Sequence, residues 1–204
     1  LVETLRLQAG AYPLLAQHLE RLQVSAKTLG FACPLPAVSA KLANEAACRH
    51  RGVYRVRLTL AHDGRCQAVS SPMPNDEGMS WRVVLADEAL EADDYLLRHK
   101  TTARARYDRV LAALAGRATV FDAIFLNALG EVCEGARSNV FVERDGILLT
   151  PPVACGLLPG VLRRTLLDSG RAVETVLRLE DLVQGPALYV GNALRGLLPV
   201  FLEC

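Results

Sequence analysis

The feature that most constrains the fold is the segment 53–70, where apolar and polar side chains alternate on both sides of a short polar turn. The strings VYRVRLTL and RCQAVS have the two-residue period of half-buried strands, and Asp63-Gly64 between them is a pair typical of hairpin turns. We therefore predict an antiparallel hairpin, which places this part of the chain in a sheet.

The segments around the hairpin add helices to the sheet. Residues 1–7 alternate apolar and polar side chains and predict a strand. From Pro13 the apolar residues recur at helical spacing up to Gly30, and a second helix is predicted from about 37–50. A further strand at 81–86 closes this first half of the chain.

The second half of the chain is richer in strands. It follows the acidic segment 87–98, which lacks strand alternation and suits a connector. Helices are predicted at 107–114 and 159–169, and strands at 119–127, 138–144, 146–152, 172–179 and 187–192. The pattern predicts an α/β fold of the α+β type with two lobes. We expect a small α/β lobe at 1–90, a connector at 91–98 and a larger lobe at 99–204.

The charge balance disfavours polyanionic partners. The 204 residues carry 23 basic and 22 acidic side chains, without the surplus of positive charge that nucleic acids or anionic lipid surfaces require. The hydrophobic content of 51% is enough for a genuine core. No apolar run is long enough to cross a membrane, and the first residues do not resemble a signal peptide. We expect neither a nucleic-acid nor a membrane partner.

The six cysteines predict reduced thiols in a cytoplasmic protein. They include no Cys-x-x-Cys pair, and no histidine lies at zinc-finger spacing, so no metal site is predicted. The sequence starts at Leu1 without a methionine. We therefore expect a processed product or a piece of a longer protein.

Lys100 is the first candidate for chemistry. The chain has three lysines, Lys27, Lys41 and Lys100, and relies on arginine for most of its positive charge. Lys100 stands among His99, Arg104 and Arg106, and both burial and neighbouring positive charge would lower the pKa of its amine. Arginine stays protonated and cannot replace a nucleophilic amine. The alternative is an ordinary surface lysine between two lobes.

Three further segments hold candidate ligand contacts. Glu134 and Gly135 interrupt a strand-forming region, where the carboxylate either meets solvent or points into a cleft. The segment LLPGVLRRT predicts a helix that starts after Gly160, leaving its first amides available to a phosphate. The segment LYVGNALRG ends a strand with small residues that let a ligand approach the main chain. Arg21 could add a bidentate charged contact.

Taken in order, these segments resemble the fold-type IV family of pyridoxal-phosphate enzymes, which includes branched-chain and D-amino-acid aminotransferases and aminodeoxychorismate lyase. The resemblance spans nearly the whole chain. It is carried by LVETLR, HLERLQVSAKTLGF, HKTTARARYD, CEGARSNVFV, GLLPGVLRR and GNALRGLLPV. It implies the two-lobed fold of D-amino-acid aminotransferase, with the cofactor lysine in the larger lobe.

The resemblance also implies roles for individual residues. Lys100 would bind pyridoxal 5′-phosphate covalently and later shuttle a proton at the substrate, and Glu134 would pair with the pyridine nitrogen. Leu158 would pack against one face of the ring. The phosphate would be held by Arg21, the amides of Val161 and Leu162, and the Asn192-Ala193 turn.

The segments around Lys100 and Arg21 are most similar to the lyase members of the family, as found in the C-terminal part of fused aminobenzoate synthases. This implies conversion of 4-amino-4-deoxychorismate to 4-aminobenzoate and pyruvate in folate biosynthesis. Arg104 and Arg137 are candidates for binding the substrate carboxylates. A homodimer, and fusion to or cooperation with a chorismate-using synthase, are further expectations from the resemblance.

Two alternatives stay open. The first is an aminotransferase for D-amino or branched-chain amino acids, although the tyrosine that branched-chain enzymes carry five residues after the lysine is Ala105 here. The second is a non-catalytic module of a larger synthase, because the family's N-terminal strands have no counterpart before Leu1.

Overall fold

The predicted hairpin forms two strands of a three-stranded sheet in the computed structural model, which describes residues 1–74, 78–184 and 187–203. The chain divides into two units. The first consists of Leu1–Asp76 with His99–Thr102, and the second of Glu77–Arg98 with Ala103–Cys204.

The first unit is a sheet covered by two helices. In chain order its elements are β1 (Val2–Gln8), α1 (Leu15–Leu29), α2 (Leu35–Ala47), β2 (Val53–Leu60) and β3 (Cys66–Pro72). The strands are antiparallel in the order β1-β2-β3. Gly64, with φ of 89°, supplies the left-handed conformation that the β2–β3 turn needs. The predicted strands and helices of this unit are confirmed.

The core of the first unit follows from these periodicities. Alternate residues of β1 and β2 point to one face of the sheet, and the apolar positions of α1 and α2 pack on that face. Gly30 ends α1 in the left-handed conformation, and prolines mark the start of α2. The buried core residues include Leu5, Leu7, Leu22, Ala26, Val38, Leu42, Val56 and Leu58.

The second unit is built on an eight-stranded mixed sheet. Its strands are β4 (Trp81–Leu85), β5 (Val120–Leu126), β6 (Val132–Gly135), β7 (Asn139–Arg144), β8 (Ile147–Thr150), β9 (Ala172–Glu174), β10 (Ala187–Asn192) and β11 (Gly196–Leu202). Its helices are α3 (Ala105–Ala113), α4 (Val161–Asp168) and α5 (Leu179–Gln184), with short 3-10 turns at Tyr95–Arg98 and Val153–Cys155. The strand order is β6-β5-β4-β11-β10-β7-β8-β9.

Three apolar clusters stabilise the second unit. The largest lies on the sheet and includes Val83, Ile124, Val140, Val190 and Val200. A second cluster lies between α3 and the sheet, around the fully buried Phe125. The third packs α4 on the sheet through Phe141, Leu148 and Leu166. The predicted α/β class, with one small unit and one larger strand-rich unit, is therefore confirmed.

The division into units differs from the predicted lobes in two places. Strand β4 pairs in parallel with β5 and β11, so it belongs to the larger sheet and does not close the small unit. The segment His99–Thr102 belongs to the first unit, where the backbone N–H of Val2 donates to the Lys100 carbonyl at 2.9 Å. Lys100 was expected in the larger lobe.

Some elements of the second unit were not predicted. Val132–Gly135 is a strand and not an interruption, so that expectation for Glu134 and Gly135 is wrong. The predicted strand at 172–179 stops at Glu174, because the chain then crosses to the edge of β6, where the Leu177 carbonyl accepts from Val132. Strand β11 was missed, and it contains Pro199, a residue that usually argues against a strand interior.

Among the residues that the structure describes, no helix is both long and apolar enough to cross a membrane. The described cysteines, which are Cys33, Cys48, Cys66, Cys133 and Cys155, are free thiols.

Phe125 provides a test of the packing in the second unit. The Phe125 side chain is 0% exposed, whereas Phe201, also in a strand of this unit, is 68% exposed. Removing a fully buried aromatic ring leaves a cavity, so Phe125→Ala should lower the free energy of unfolding by about 3–5 kcal/mol. Phe201→Ala should change it by less than about 0.5 kcal/mol. Urea denaturation measures both, and equal losses would contradict the assigned core.

Candidate active site

A buried ion cluster in the first unit fixes the predicted phosphate-binding arginine. Arg21 on α1 donates through Nε to Oε1 of Glu3 at 2.8 Å and through Nη2 to Oε2 at 2.5 Å. His18, one turn earlier on α1, places Nδ1 2.7 Å from the same Oε2. Glu3 lies on β1 and is 2% exposed. The strand carboxylate therefore joins two helix side chains.

The Glu3 carboxylate is strongly held in its charged form. Burial by itself raises the pKa, but the Arg21 guanidinium and the hydrogen bonds from Arg21 and His18 outweigh it and lower the pKa of Glu3 to about 2. Two of the five N–H donors of the guanidinium are committed to Glu3, and the others keep their fixed directions. Arg21 thus retains the capacity to bind a second anion.

The segment that carries Lys100 is anchored in the same unit. The Lys100 side chain is half-buried, and its backbone carbonyl accepts from Val2 on β1. The neighbouring His99 places Nδ1 3.0 Å from the hydroxyl of Ser25, a buried residue of α1. The backbone of the lysine is thus fixed to the strand that carries Glu3 and to the helix that carries Arg21.

Glu134 is the central acidic group of the second unit. It lies on β6 and is 5% exposed, which excludes the expectation of a solvated carboxylate. Its Oε1 accepts from the Tyr107 hydroxyl at 2.7 Å, and its Oε2 accepts from the backbone N–H of Leu158 at 3.0 Å. The structure therefore brings two of the predicted site residues, Glu134 and Leu158, into direct contact.

The loop from Leu158 to α4 is held by Asn139. The Asn139 side-chain amide donates to the Leu158 carbonyl at 2.9 Å, and its Oδ1 lies so close to Gly160 that a Cβ at that position would overlap it. Gly160 is therefore required for the chain to pass over Asn139 into the helix. The amides of Val161 and Leu162 begin α4, where no preceding turn supplies an acceptor for them.

The Asn192-Ala193 turn is organised by the Asn192 side chain. Its Oδ1 accepts from the backbone N–H groups of Leu194 and Arg195 at 3.1 and 3.0 Å. Its Nδ2 donates to the Arg137 carbonyl at 3.0 Å. The Asn192 side chain thus holds the β10–β11 turn in place. The backbone of the turn is the part that could contact a ligand.

The Asp122 side chain accepts hydrogen bonds from the segment that follows Glu134. Its Oδ2 accepts from the Ser138 hydroxyl at 2.5 Å and from the Arg137 N–H at 3.2 Å, and a Cβ at Gly135 would overlap this oxygen. Complete burial raises the pKa of Asp122 to about 6, against the hydrogen bonds and the charge of Arg137. The turn between β6 and β7 is therefore shaped around a buried carboxyl group.

The two arginines predicted to bind substrate carboxylates already have partners. Arg104 pairs with Asp108 at 3.0 Å and donates to the Ala136 carbonyl at 2.9 Å. Arg137 donates through Nη2 to the Phe121 carbonyl, and its guanidinium lies 4.5 Å from the centre of the Phe121 ring. Their role toward a substrate stays a prediction.

Four functional candidates were missed by the sequence reasoning. They are Glu3 and His18, which fix Arg21, and Tyr107 and Asp122, which support Glu134 and the turn after it. Glu3 and His18 had a signal: Glu3 is a charged residue on the inward side of β1, and His18 lies one helical turn from Arg21. No sequence pattern indicated Tyr107 or Asp122, because their hydrogen-bond partners, Glu134 and Ser138, are distant in the chain.

The comparisons with known proteins agree with the resemblance read from the sequence. The model of the family described as amino-transferase class IV matches residues 1–201. The family depends on pyridoxal phosphate. The predicted recognition of the fold-type IV family is confirmed.

The individual relatives include both lyases and aminotransferases. A candidate aminodeoxychorismate lyase of Schizosaccharomyces pombe is 28% identical, over 89% of this chain and 80% of its own length. A candidate branched-chain-amino-acid aminotransferase of Methanocaldococcus jannaschii is 27% identical, over 98% of this chain and 76% of its own. The crystal structure of a candidate amino-acid aminotransferase from Mesorhizobium loti has a TM-score of 0.93 and 40% identity, and the match covers 100% of this chain and 99% of that one.

Replacing Glu3 tests the ion cluster of the first unit. Glu3→Gln leaves the Arg21 guanidinium, whose side chain is only 12% exposed, without its carboxylate, so the free energy of unfolding at neutral pH should fall by about 3 kcal/mol. Because the pKa of Glu3 is lowered from 4.5 to about 2 on folding, its stabilisation is complete above about pH 4.5 and is lost as the pH falls towards 2. The difference between the variant and the wild type should therefore shrink in that window.

Urea denaturation between pH 7 and pH 2.5 measures this difference. Glu45→Gln, at a half-buried glutamate of α2, is the matched control and should show a small change. A constant difference between Glu3→Gln and wild type across the acidic range would contradict the assigned ionisation of Glu3.

Proposed function

The chain belongs to the class IV aminotransferase family, and we propose that it is a pyridoxal-phosphate-dependent lyase that converts 4-amino-4-deoxychorismate to 4-aminobenzoate and pyruvate. The proposal joins family membership to a set of residues suited to this cofactor. When bound, pyridoxal phosphate supplies an aromatic ring that accepts the electrons of the bond broken at the amino-bearing carbon.

The observation that carries the proposal is the buried Glu134 carboxylate, which accepts from the Tyr107 hydroxyl and from the Leu158 backbone N–H. A carboxylate can accept up to about four hydrogen bonds. A protonated pyridine nitrogen would be a donor to this carboxylate, and the negative charge of Glu134 would keep the nitrogen protonated. In this role Glu134 would keep the ring able to accept electrons.

Lys100 would bind the cofactor aldehyde through its amine and move a proton at the substrate. The Lys100 side chain is half-buried, and both tasks require its amine in the neutral form. The bond from Val2 to the Lys100 carbonyl fixes the backbone from which the side chain extends. In the lyase reaction the Lys100 amine would take a proton from the substrate ring.

The remaining predicted residues would hold the phosphate and the ring. Arg21, oriented by Glu3, offers guanidinium donors, and the first amides of α4 at Val161 and Leu162 offer backbone donors at the positive end of a helix. The Asn192-Ala193 turn would add main-chain contacts, and Leu158 would pack on one face of the ring.

The lyase assignment rests on the sequence around Lys100 and on the similarity to the S. pombe relative over most of both chains. The substrate would be a small amino compound, with Arg104 and Arg137 as candidate carboxylate contacts. A role in folate biosynthesis, a cytoplasmic location, a homodimeric state and cooperation with a chorismate-using synthase belong to the same proposal.

A second candidate function is amino-acid transamination. The likeness to the M. loti protein supports it, because that match covers both chains almost completely at 40% identity. Both reactions use the same cofactor and the same lysine, so the choice between them depends on the substrate.

Borohydride reduction tests the cofactor lysine. Protein incubated with pyridoxal phosphate and then reduced should carry a pyridoxyl group on Lys100, located by mass spectrometry of peptides. Lys100→Ala should lose this group because the other two lysines are not expected to bind the cofactor. Lys27→Ala and Lys41→Ala are the matched controls and should keep it. Colourless wild-type protein without any adduct would favour the non-catalytic module.

Product analysis tests the reaction. Incubation with 4-amino-4-deoxychorismate should give 4-aminobenzoate and pyruvate without an added amino acceptor, and Lys100→Ala should reduce the rate by at least about a thousandfold. Branched-chain and D-amino acids with a keto acid are assayed in parallel. Transamination without 4-aminobenzoate formation would overturn the lyase assignment and favour the second candidate.

A further inference from the structure

We propose that Tyr107 is a positioning residue that orients the Glu134 carboxylate toward the cofactor ring nitrogen. This inference rests on the proposed function, since it deepens the role given to Glu134. Tyr107 does not need to touch the cofactor or the substrate, because its effect passes through the carboxylate.

The geometry makes Tyr107 a donor to one defined oxygen. Its hydroxyl lies 2.7 Å from Oε1 of Glu134, while the other oxygen is occupied by the Leu158 amide at 3.0 Å. With one donor on each side, the carboxylate plane cannot rotate without losing a bond. The two bonds therefore fix the orientation of the carboxylate and the directions of its lone pairs.

The Tyr107 ring is itself held by two neighbouring side chains. It meets Phe125 edge-on, with centroids 5.2 Å apart and an interplanar angle of 77°. The Arg104 guanidinium lies 5.4 Å from its centre and is anchored by Asp108 and by the Ala136 carbonyl. The hydroxyl is thus carried by a ring with little freedom to move.

The charges around the hydroxyl keep it a donor. Burial, followed by the charge and hydrogen bond of Glu134, raises the pKa of the Tyr107 hydroxyl far above its ordinary value, against the lowering effect of Arg104 and Arg106. Tyr107 therefore stays protonated at any working pH, and its proton remains directed to Glu134.

A second tyrosine–glutamate pair in the same unit provides a matched control. The Tyr189 hydroxyl on β10 donates to Oε2 of Glu143 at 3.0 Å, and both residues are half-buried. Tyr189→Phe removes the same kind of bond as Tyr107→Phe. It does so away from Glu134, so it measures the general effect of losing one hydroxyl.

The test compares pyridoxal phosphate with its 1-deaza analogue, in which a carbon replaces the ring nitrogen. If Tyr107 acts through Glu134 on that nitrogen, Tyr107→Phe should weaken the binding of pyridoxal phosphate by about tenfold, the size expected for a hydrogen bond to a charged group. It should change the binding of the analogue by less than about twofold, because no ring N–H is left to be met. Tyr189→Phe should leave both affinities unchanged.

The dissociation constants are measured by titration of the full chain with each compound, and urea denaturation checks that the variants fold. If Tyr107→Phe does not fold, Tyr107→Leu, which also lacks a donor, takes its place. The same two affinities, for pyridoxal phosphate and for the 1-deaza analogue, are then compared. Equal weakening with both compounds, or no weakening with either, overturns the positioning role while the proposed function stands. Failure of the wild type to bind pyridoxal phosphate overturns both.

Discussion

A carboxylate taken out of water needs hydrogen-bond donors or a cation as partners, and this requirement organises the candidate residues within each unit. Glu3, Asp122 and Glu134 are all buried, and each is met differently. Glu3 is paired with Arg21 and His18, whereas Glu134 accepts from a tyrosine hydroxyl and a backbone amide. For Asp122 the effect of burial outweighs its hydrogen bonds and the charge of Arg137, so its pKa rises to about 6, whereas Arg21 and His18 outweigh burial at Glu3 and its pKa falls to about 2.

These pairings also fix the elements that carry the candidate residues. The Glu3 pairing ties β1 to α1, and the segment of Lys100 is bonded to both of these elements through Val2 and Ser25. In the second unit Glu134 ties β6 to α3 and to the loop before α4. Glu3 and Glu134 each hold backbone elements together at a candidate functional residue. Substitutions that keep the side-chain shape are needed to separate an effect on stability from an effect on function.

Close backbone approach is the second constraint. Gly135 lies against Asp122 and Gly160 lies against Asn139, so that a Cβ at either position would overlap an oxygen. Neither glycine is required by a positive φ, since both lie outside that region. Both positions need a glycine because a polar side chain passes next to the main chain. Asp122 shapes the turn after Glu134, and Asn139 shapes the start of α4.

The sequence by itself determined the local elements of the first unit, the helices α3 and α4, and the family resemblance, because periodicity, turn residues and motif order are all local properties. It also singled out Lys100, Arg21 and Glu134. Only the tertiary structure decided that β4 joins the larger sheet, that residues 99–102 belong to the first unit, and that Glu134 lies within a strand. It alone identified Tyr107 and Asp122, since hydrogen-bond partners 27 and 16 residues apart leave no pattern in the chain. Pairing between distant segments is set by the packing of the whole unit, which no local window of sequence contains.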